Sequence, residues 1–328
     1  MNKKALIKTI PFIATFGLWI FFYRAFYFPR LIQFVDAEVN FIYTNHFLNH
    51  ISRGVYPAWN PFSAWGRPED FCSRLIGEFN PFIYLPLFLK TLGIDFTAAY
   101  AIFLTAYLFT GFLGFYMCAS LIFRSRRWAW VAMVFLMFTG LGGNIFNDAL
   151  TIFIMVPMCW FFYFLILFLR EYSRWALLGA SFCSGIILTT YLPFFFITVS
   201  GICVLLSMAI WPRKTLQQCS AIVKFIKQNA GFVLLCSGFV CLATMPGLLW
   251  LRESGEMIFS WRGENSVNGN AAHLSFDFIN AGGFPGLIPF RCVFTHLKFI
   301  APGFPYVPAM GVLLFLLGIF LRLRKRFM

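Results

Sequence analysis

The sequence predicts an all-α integral membrane protein with about eight transmembrane helices and both termini on the cytoplasmic side. Hydrophobic types make up 60% of the 328 residues and charged types only 12%, whereas a soluble domain averages about 25% charged residues. The sequence contains repeated apolar runs, and their lengths are close to the roughly 20 residues that one membrane crossing needs. These observations exclude a soluble globular enzyme, a disordered chain and a small disulfide-stapled domain.

The distribution of charge supports this topology. Lys and Arg collect at the N-terminus, in alternate gaps between apolar runs, and near the C-terminus, in segments whose one acidic residue is Glu171. Short loops rich in Lys and Arg remain in the cytoplasm. The net charge of +14 is therefore interpreted as a topology signal, and nucleic acid is not expected as a partner. The basic clusters are Lys3/Lys4/Lys8, Arg124/Arg126/Arg127, Arg170/Arg174, Arg213/Lys214/Lys224/Lys227 and Arg322/Arg324/Lys325/Arg326.

The predicted spans alternate in direction along a single domain, residues 1–328. They cover residues 5–28, 96–123, 128–143, 150–169, 175–191, 192–211, 230–251 and 306–321. Two long segments, residues 29–95 and 252–305, are predicted outside the cytoplasm. Residues 215–229 mix Lys with Ile, Val and Phe, which predicts a short amphipathic helix on the inner membrane face.

The first outer segment opens with two carboxylates, Asp36 and Glu38, directly after the first span. Such a pair can chelate a divalent cation, Mg or Mn, or one member can act as a base. If residues 36–51 form a helix, Asp36 occupies its first turn, where the helix dipole favours an anion. The alternative is a helix cap at Asp36 followed by an ordinary N-terminal Glu.

The same segment continues with Gly54-Val55-Tyr56-Pro57-Ala58-Trp59-Asn60-Pro61 and then Gly66-Arg67-Pro68. Residues 81–94 are apolar but too short to cross, which predicts an interfacial or re-entrant helix on the outer face. A long first outer loop with an acidic D-x-E pair, this G-x-x-P-x-W-N-P motif and the following G-x-P resembles the GT-C superfamily of membrane glycosyltransferases. More narrowly, it resembles the YfhO-like bacterial membrane proteins, most clearly over residues 30–95.

The resemblance implies a GT-C-like fold in the bacterial inner (cytoplasmic) membrane. It also implies transfer of a sugar from a polyprenyl-phosphate-linked donor to a lipid, glycan or protein acceptor on the extracytoplasmic side. In that superfamily an acid of the first outer loop serves as catalytic base or metal ligand. By position this role is expected for Asp36, with Glu38 as its partner.

Further residues are candidates for substrate binding. Glu69, Asp70 and Glu78 can complete a metal site or bind sugar hydroxyls, or they only keep the loop soluble. Arg67, Arg74 and Arg262 are candidates for the donor's phosphate, which arginine binds bidentately; the alternative for each is an anchor to lipid headgroups. His46 and His50 share one helix face, and a structural pair is favoured over a zinc site because HExxH is absent.

The chain departs from the superfamily in two ways. It contains no WWDYG-type motif, and the superfamily often has more spans, so the chain is either a minimal member or part of a longer protein. A transporter or flippase of lipid-linked sugars is the main alternative function, and a non-catalytic membrane protein of the same fold is another. Cys72 and Cys292 are the two cysteines in the outer segments and can pair in an oxidising compartment.

Overall fold

A computed structural model describes residues 3–27, 36–56, 59–60, 67–68, 77, 80–138, 149–190 and 193–254. This part of the chain is almost entirely helical. Its α-helices are α1 (Lys3–Phe22), α2 (Asp36–Ile51), α3 (Leu85–Thr91), α4 (Phe96–Phe123), α5 (Arg126–Met137), α6 (Ala149–Glu171), α7 (Arg174–Leu188), α8 (Pro193–Ile210), α9 (Pro212–Gln228) and α10 (Ala230–Ser254). Short 3-10 helices occur at Arg24–Phe26 and Pro81–Tyr84. Strands β1 (Trp59–Asn60) and β2 (Arg67–Pro68) pair antiparallel within the first outer segment.

Two of these helices, α4 and α6, are long and apolar enough to cross a membrane. A third candidate is the pair formed by α9 and α10, which bends by 99° at their junction. The described chain is thus all-α with two or three candidate membrane spans, as expected for a helical membrane protein. Helix α7 is apolar, but its 15 residues span about 22 Å at 1.5 Å per residue, less than the roughly 30 Å hydrocarbon core. The full set of eight spans stays a prediction, and the eighth, residues 306–321, lies outside the described residues.

Helices α4 and α6 pack side by side and run in the same direction. Phe103 and Phe153 stack at 6.2 Å between ring centroids. Further along both helices, the Trp160 indole nitrogen donates to the Thr110 carbonyl at 3.0 Å. Near their C-terminal ends, an Arg170 guanidinium nitrogen donates to the Leu121 carbonyl at 2.5 Å. This parallel pairing agrees with the predicted topology, in which residues 128–143 return the chain between two inward spans.

Helix α1 runs antiparallel to α4. Phe12 lies 4.8 Å from Tyr116 near the start of α1, Phe16 stacks on Phe109 at 4.4 Å, and just beyond its end the Tyr27 hydroxyl bonds to the Thr105 hydroxyl at 2.6 Å. The N-terminus of α1 therefore points toward the C-terminal end of α4.

Helix α7 turns back along α6 after two residues, and α10 runs parallel to α7. At the start of α7, Arg174 Nε donates to Asn229 Oδ1 at 2.8 Å, and further along Phe182 stacks on Phe239 at 6.2 Å. The described basic segments that were predicted to be cytoplasmic consequently lie at one end of the helices. We call this end, formed by the C-terminal ends of α4 and α6 and the N-terminal ends of α5, α7 and α10, the basic end.

The core of the bundle is aromatic and closely packed. Trp19, Tyr100, Phe103, Phe112 and Phe153 are all buried between α1, α4 and α6. Small residues on α4 let α6 approach: a Cβ at Gly111 would lie 2.7 Å from Val156 Cγ2, and one at Gly114 would lie 3.0 Å from the Trp160 ring. Packing through small residues is how helices associate in lipid, where burial of apolar surface gives no driving force.

The outer surface of the bundle is apolar as well. Leu205 of α8 and Leu234 and Leu242 of α10 are 67%, 72% and 71% exposed. In water, an apolar surface of this extent would be an association or aggregation liability. In a bilayer the same side chains face lipid tails.

Candidate functional site

The D-x-E pair opens helix α2. The helix spans Asp36–Ile51, so the condition under which position 36 lies in the first turn is met. Glu38, two residues further along the helix, is exposed. The side chain of Asp36 is not among the described ones, so its role stays a prediction.

Helix α2 packs at the end of the bundle opposite to the basic end. Phe41 contacts Phe96 and Tyr100 in the first turns of α4, at 5.6 and 5.1 Å between ring centroids. Asn49 accepts a hydrogen bond from Lys90 Nζ of α3 at 3.1 Å. The positive-inside rule predicts that the basic end is cytoplasmic, and this prediction would place α2 on the outer side.

One side of α2 carries buried polar groups. Asn40 and Thr44 are one helical turn apart and almost fully inaccessible, and Thr44 Oγ1 donates to the Asn40 carbonyl at 2.7 Å. The side-chain amide nitrogen of Asn40, however, has no hydrogen-bond partner among the described residues. A buried donor without a partner destabilises a fold. Because Asn40 is only 1% exposed, a ligand would reach this donor only if the side chains packed around it moved apart.

A second buried amide fixes the segment that follows the first outer loop. Asn80 Nδ2 donates to the Tyr107 hydroxyl at 2.8 Å, and Asn80 Oδ1 accepts from the Phe82 amide at 3.2 Å. The second bond caps the 3-10 helix that begins at Pro81. Asn80 therefore attaches the end of the outer loop to the middle of α4.

Asn40 and Asn80 were not among the residues for which the sequence predicts a role. For Asn80 a local signal exists, because Asn followed by Pro is a typical helix start. For Asn40 only its position one turn before Thr44 hints at burial, and polar residues at that spacing also occur on solvated helix faces.

His46 and His50 form a ring pair on α2. Their ring centroids lie 4.2 Å apart, and the contact between His50 Nδ1 and the His46 carbonyl is 2.9 Å. Because a carbonyl can only accept, Nδ1 of His50 is the donor. Within the described residues no group of three His, Cys, Asp or Glu side chains comes together as a metal site would require. That His46 and His50 are a structural pair stays a prediction.

The remaining candidates lie outside the described residues or have no described side chain. Arg67 lies in strand β2, opposite Asn60, but its side chain is not described. Glu69, Asp70, Arg74, Glu78 and Arg262 fall outside the described residues, as do Cys72 and Cys292. Their convergence on Asp36 stays a prediction.

Comparison with known proteins adds no assignment: the chain matches no family model, no curated protein and no solved structure.

Proposed function

We propose that this protein is an integral membrane glycosyltransferase of the GT-C type. It would transfer a sugar from a polyprenyl-phosphate-linked donor to a lipid, glycan or protein acceptor on the extracytoplasmic face. The observation that carries the proposal is the position of α2. This helix starts at Asp36 and packs against the first turns of α4, at the end of the bundle opposite to the basic end.

The proposed reaction needs a base and a stabilised leaving group. Asp36 accepts the proton of the acceptor hydroxyl, whose oxygen attacks the anomeric carbon of the sugar. The bond between that carbon and the phosphate oxygen breaks, and polyprenyl phosphate departs with the electron pair. A positioned base contributes roughly 10²–10⁴-fold to such a rate. Arg67, Arg74 and Arg262 are the candidates that would stabilise the negative charge developing on the phosphate.

The apolar bundle supports the proposal because a polyprenyl tail needs a hydrocarbon environment. Side chains on the surfaces of α8 and α10 are exposed and aliphatic, and they offer such a surface next to the bilayer. The Asn40 amide nitrogen has no hydrogen-bond partner in the described part of the chain, and it would donate to a sugar hydroxyl or a phosphate oxygen if the packing around it opens on substrate binding.

A shared divalent cation fits the helix less well than a single base does. Successive residues of a helix turn by about 100°, so positions 36 and 38 lie on nearly opposite sides of α2. A Mg or Mn ion bound by both carboxylates would require the first turn of α2 to open. We therefore assign the role of base to Asp36 alone. The transfer activity is expected to be unchanged when EDTA is added.

Two variants test the proposal in a matched way. Membranes containing the Asp36→Asn protein are supplied with a radiolabelled polyprenyl-phosphate hexose, and label is followed into lipid, glycan and protein fractions. The control is Asp95→Asn, at the same end of the bundle. Asp95 caps α4 by accepting a hydrogen bond from the Thr97 amide, and an asparagine caps a helix equally well.

A loss of 100-fold or more for Asp36→Asn, with Asp95→Asn within twofold of the unsubstituted protein, supports the mechanism. Equal activity of all three proteins would remove Asp36 from it. If the labelled lipid moves across the bilayer of proteoliposomes without transfer of its sugar, the protein is the alternative transporter of lipid-linked sugars.

One observation argues against ion-coupled transport. Helix α4 contains no charged residue along its whole length, whereas ion-coupled transporters place ionisable groups near the midplane of the membrane.

A further inference from the structure

Helix α9 presents two exposed stripes of different chemistry. One stripe is apolar and contains Leu216, Cys219, Val223 and Ile226; Leu216 and Val223 are 66% and 51% exposed. The neighbouring stripe is basic and contains Arg213, Lys224 and Lys227, all exposed. The helix has no acidic residue. An apolar stripe beside a basic one is typical of helices that lie in a membrane interface.

A third side of α9 holds the helix to the bundle. Phe225 is buried and packs edge-to-face on Phe168 of α6 at 5.1 Å between ring centroids. Ile222 packs against the same small cluster. The apolar stripe defined above is thus not needed for the protein's own core in the described part of the chain.

Hydrogen bonds at the bend between α9 and α10 fix the direction of α9. Asn229 lies at the junction, where its Oδ1 accepts from Arg174 Nε at 2.8 Å and its Nδ2 donates to the Phe225 carbonyl at 3.1 Å. At the other end of α9, the Thr215 hydroxyl lies 3.0 Å from the carbonyls of both Ser207 and Trp211. Since α9 and α10 meet at 99°, α9 lies in the membrane plane whenever α10 crosses the membrane.

We propose that α9 is a binding surface for anionic phospholipid headgroups of the cytoplasmic leaflet. The apolar stripe enters the acyl boundary, and Arg213, Lys224 and Lys227 bind the phosphates above it. Charge complementarity selects this occupant, because the helix is purely basic and Arg170 and Arg174 lie at the same end of the bundle. A polybasic amphipathic surface is attracted to the negative potential of that leaflet. The proposal is independent of glycosyl transfer and requires only that the chain sits in a membrane.

A labelling experiment tests the orientation of α9. A nitroxide is placed on the native Cys219, in a full-length protein whose other cysteines are alanine, reconstituted in phosphatidylglycerol/phosphatidylcholine vesicles. The matched control carries the label at Gln217→Cys, which lies on the polar side of the helix. We expect the label at 219 to be accessible to oxygen and protected from an aqueous nickel chelate, and the label at 217 to show the reverse.

If the nickel chelate reaches both labels, the helix is solvated and the proposal is wrong. If the label at 219 is shielded from oxygen and nickel alike, a protein surface covers the stripe, whether a second copy of this chain or another partner, and the lipid proposal is wrong as well.

A second measurement keeps every native cysteine. Spin-labelled phosphatidylglycerol and phosphatidylcholine report the selectivity of the lipid shell, and the double variant Lys224→Gln/Lys227→Gln is compared with Arg126→Gln/Arg127→Gln at the start of α5. We expect the preference for phosphatidylglycerol to fall at least threefold in the α9 variant and by less than 1.5-fold in the α5 variant. An equal effect of both variants would show that the lipid responds to the total charge of the basic end, and would overturn a specific role for α9.

Discussion

Asn80 and Tyr107 share a buried hydrogen bond that joins the end of the first outer loop to the middle of helix α4. The Asn80 amide donates to the Tyr107 hydroxyl at 2.8 Å, and both side chains are almost inaccessible. Since Asn80 also caps the 3-10 helix at Pro81–Tyr84, one side chain fixes both the direction of the returning chain and its depth in the bundle. The position of α3, and through Lys90 that of α2, depends on this attachment.

Asn80→Ala is expected to lower the free energy of unfolding by about 1–3 kcal/mol, since it leaves a buried hydroxyl unpaired and removes a cap. Tyr107→Phe removes only the hydroxyl. SDS-induced unfolding in mixed micelles measures both single variants and the double variant. The double-mutant cycle should show a coupling of about 0.5–1.5 kcal/mol. Additive single effects would contradict a direct bond between the two side chains.

The close approach of α4 and α6 at Gly111 gives a second prediction. A methyl group there would lie 2.7 Å from Val156 Cγ2 and 3.3 Å from the Val156 Cα, so Gly111→Ala must push the helices apart, at a cost of about 1–3 kcal/mol. Gly238→Ala is the matched control in α10, where a Cβ meets nothing within 4 Å. It is expected to be neutral or stabilising by up to about 1 kcal/mol. Equal destabilisation by both substitutions in the same unfolding assay would rule out the packing argument.

The basic end predicts the orientation of the chain in the membrane. In a background free of other cysteines, Arg127→Cys should react with an impermeant maleimide only after intact cells are permeabilised. Lys90→Cys, from the end where α2 and α3 pack, should react without permeabilisation. The reverse pattern would place α2 in the cytoplasm and remove the basis for a reaction on the extracytoplasmic side.

The apolar runs and their charged flanks located several helices of the described chain, whereas the full set of eight spans stays a prediction. The second span was predicted at residues 96–123 and α4 occupies Phe96–Phe123, while the helix that was considered conditionally over 36–51 is α2. Hydropathy works here because a membrane helix satisfies its backbone internally, so helix formation follows from local composition. It does not determine which helices touch: the parallel pairing of α4 and α6 arises from side chains such as Gly111 and Val156, far apart in sequence.

The candidate site was predictable only in part. The first-turn position of Asp36 follows from a local pattern, whereas the Asn80–Tyr107 bond joins residues separated by 27 positions and has no local signature at Tyr107. The burial of Asn40 is equally hidden, because it depends on which side of α2 faces α4 and α6. Such non-local contacts are set by tertiary packing, which a single sequence does not reveal.

The Asn40 amide nitrogen, which has no hydrogen-bond partner within the ranges that the structure describes, leads to a prediction in which stability and function change in opposite directions. Leucine has nearly the same shape as asparagine and no polar atoms, so Asn40→Leu is expected to raise the free energy of unfolding by about 1–2 kcal/mol by removing an unpaired buried donor. If that donor binds the lipid-linked sugar, the same variant should lose donor affinity about tenfold or more, measured as KM in the transfer assay. The control is Thr44→Val, one turn further along, whose hydroxyl already donates to the Asn40 carbonyl and whose loss should leave KM within twofold. A destabilised Asn40→Leu protein would show that the amide has a partner in the folded chain, and it would withdraw Asn40 from substrate binding.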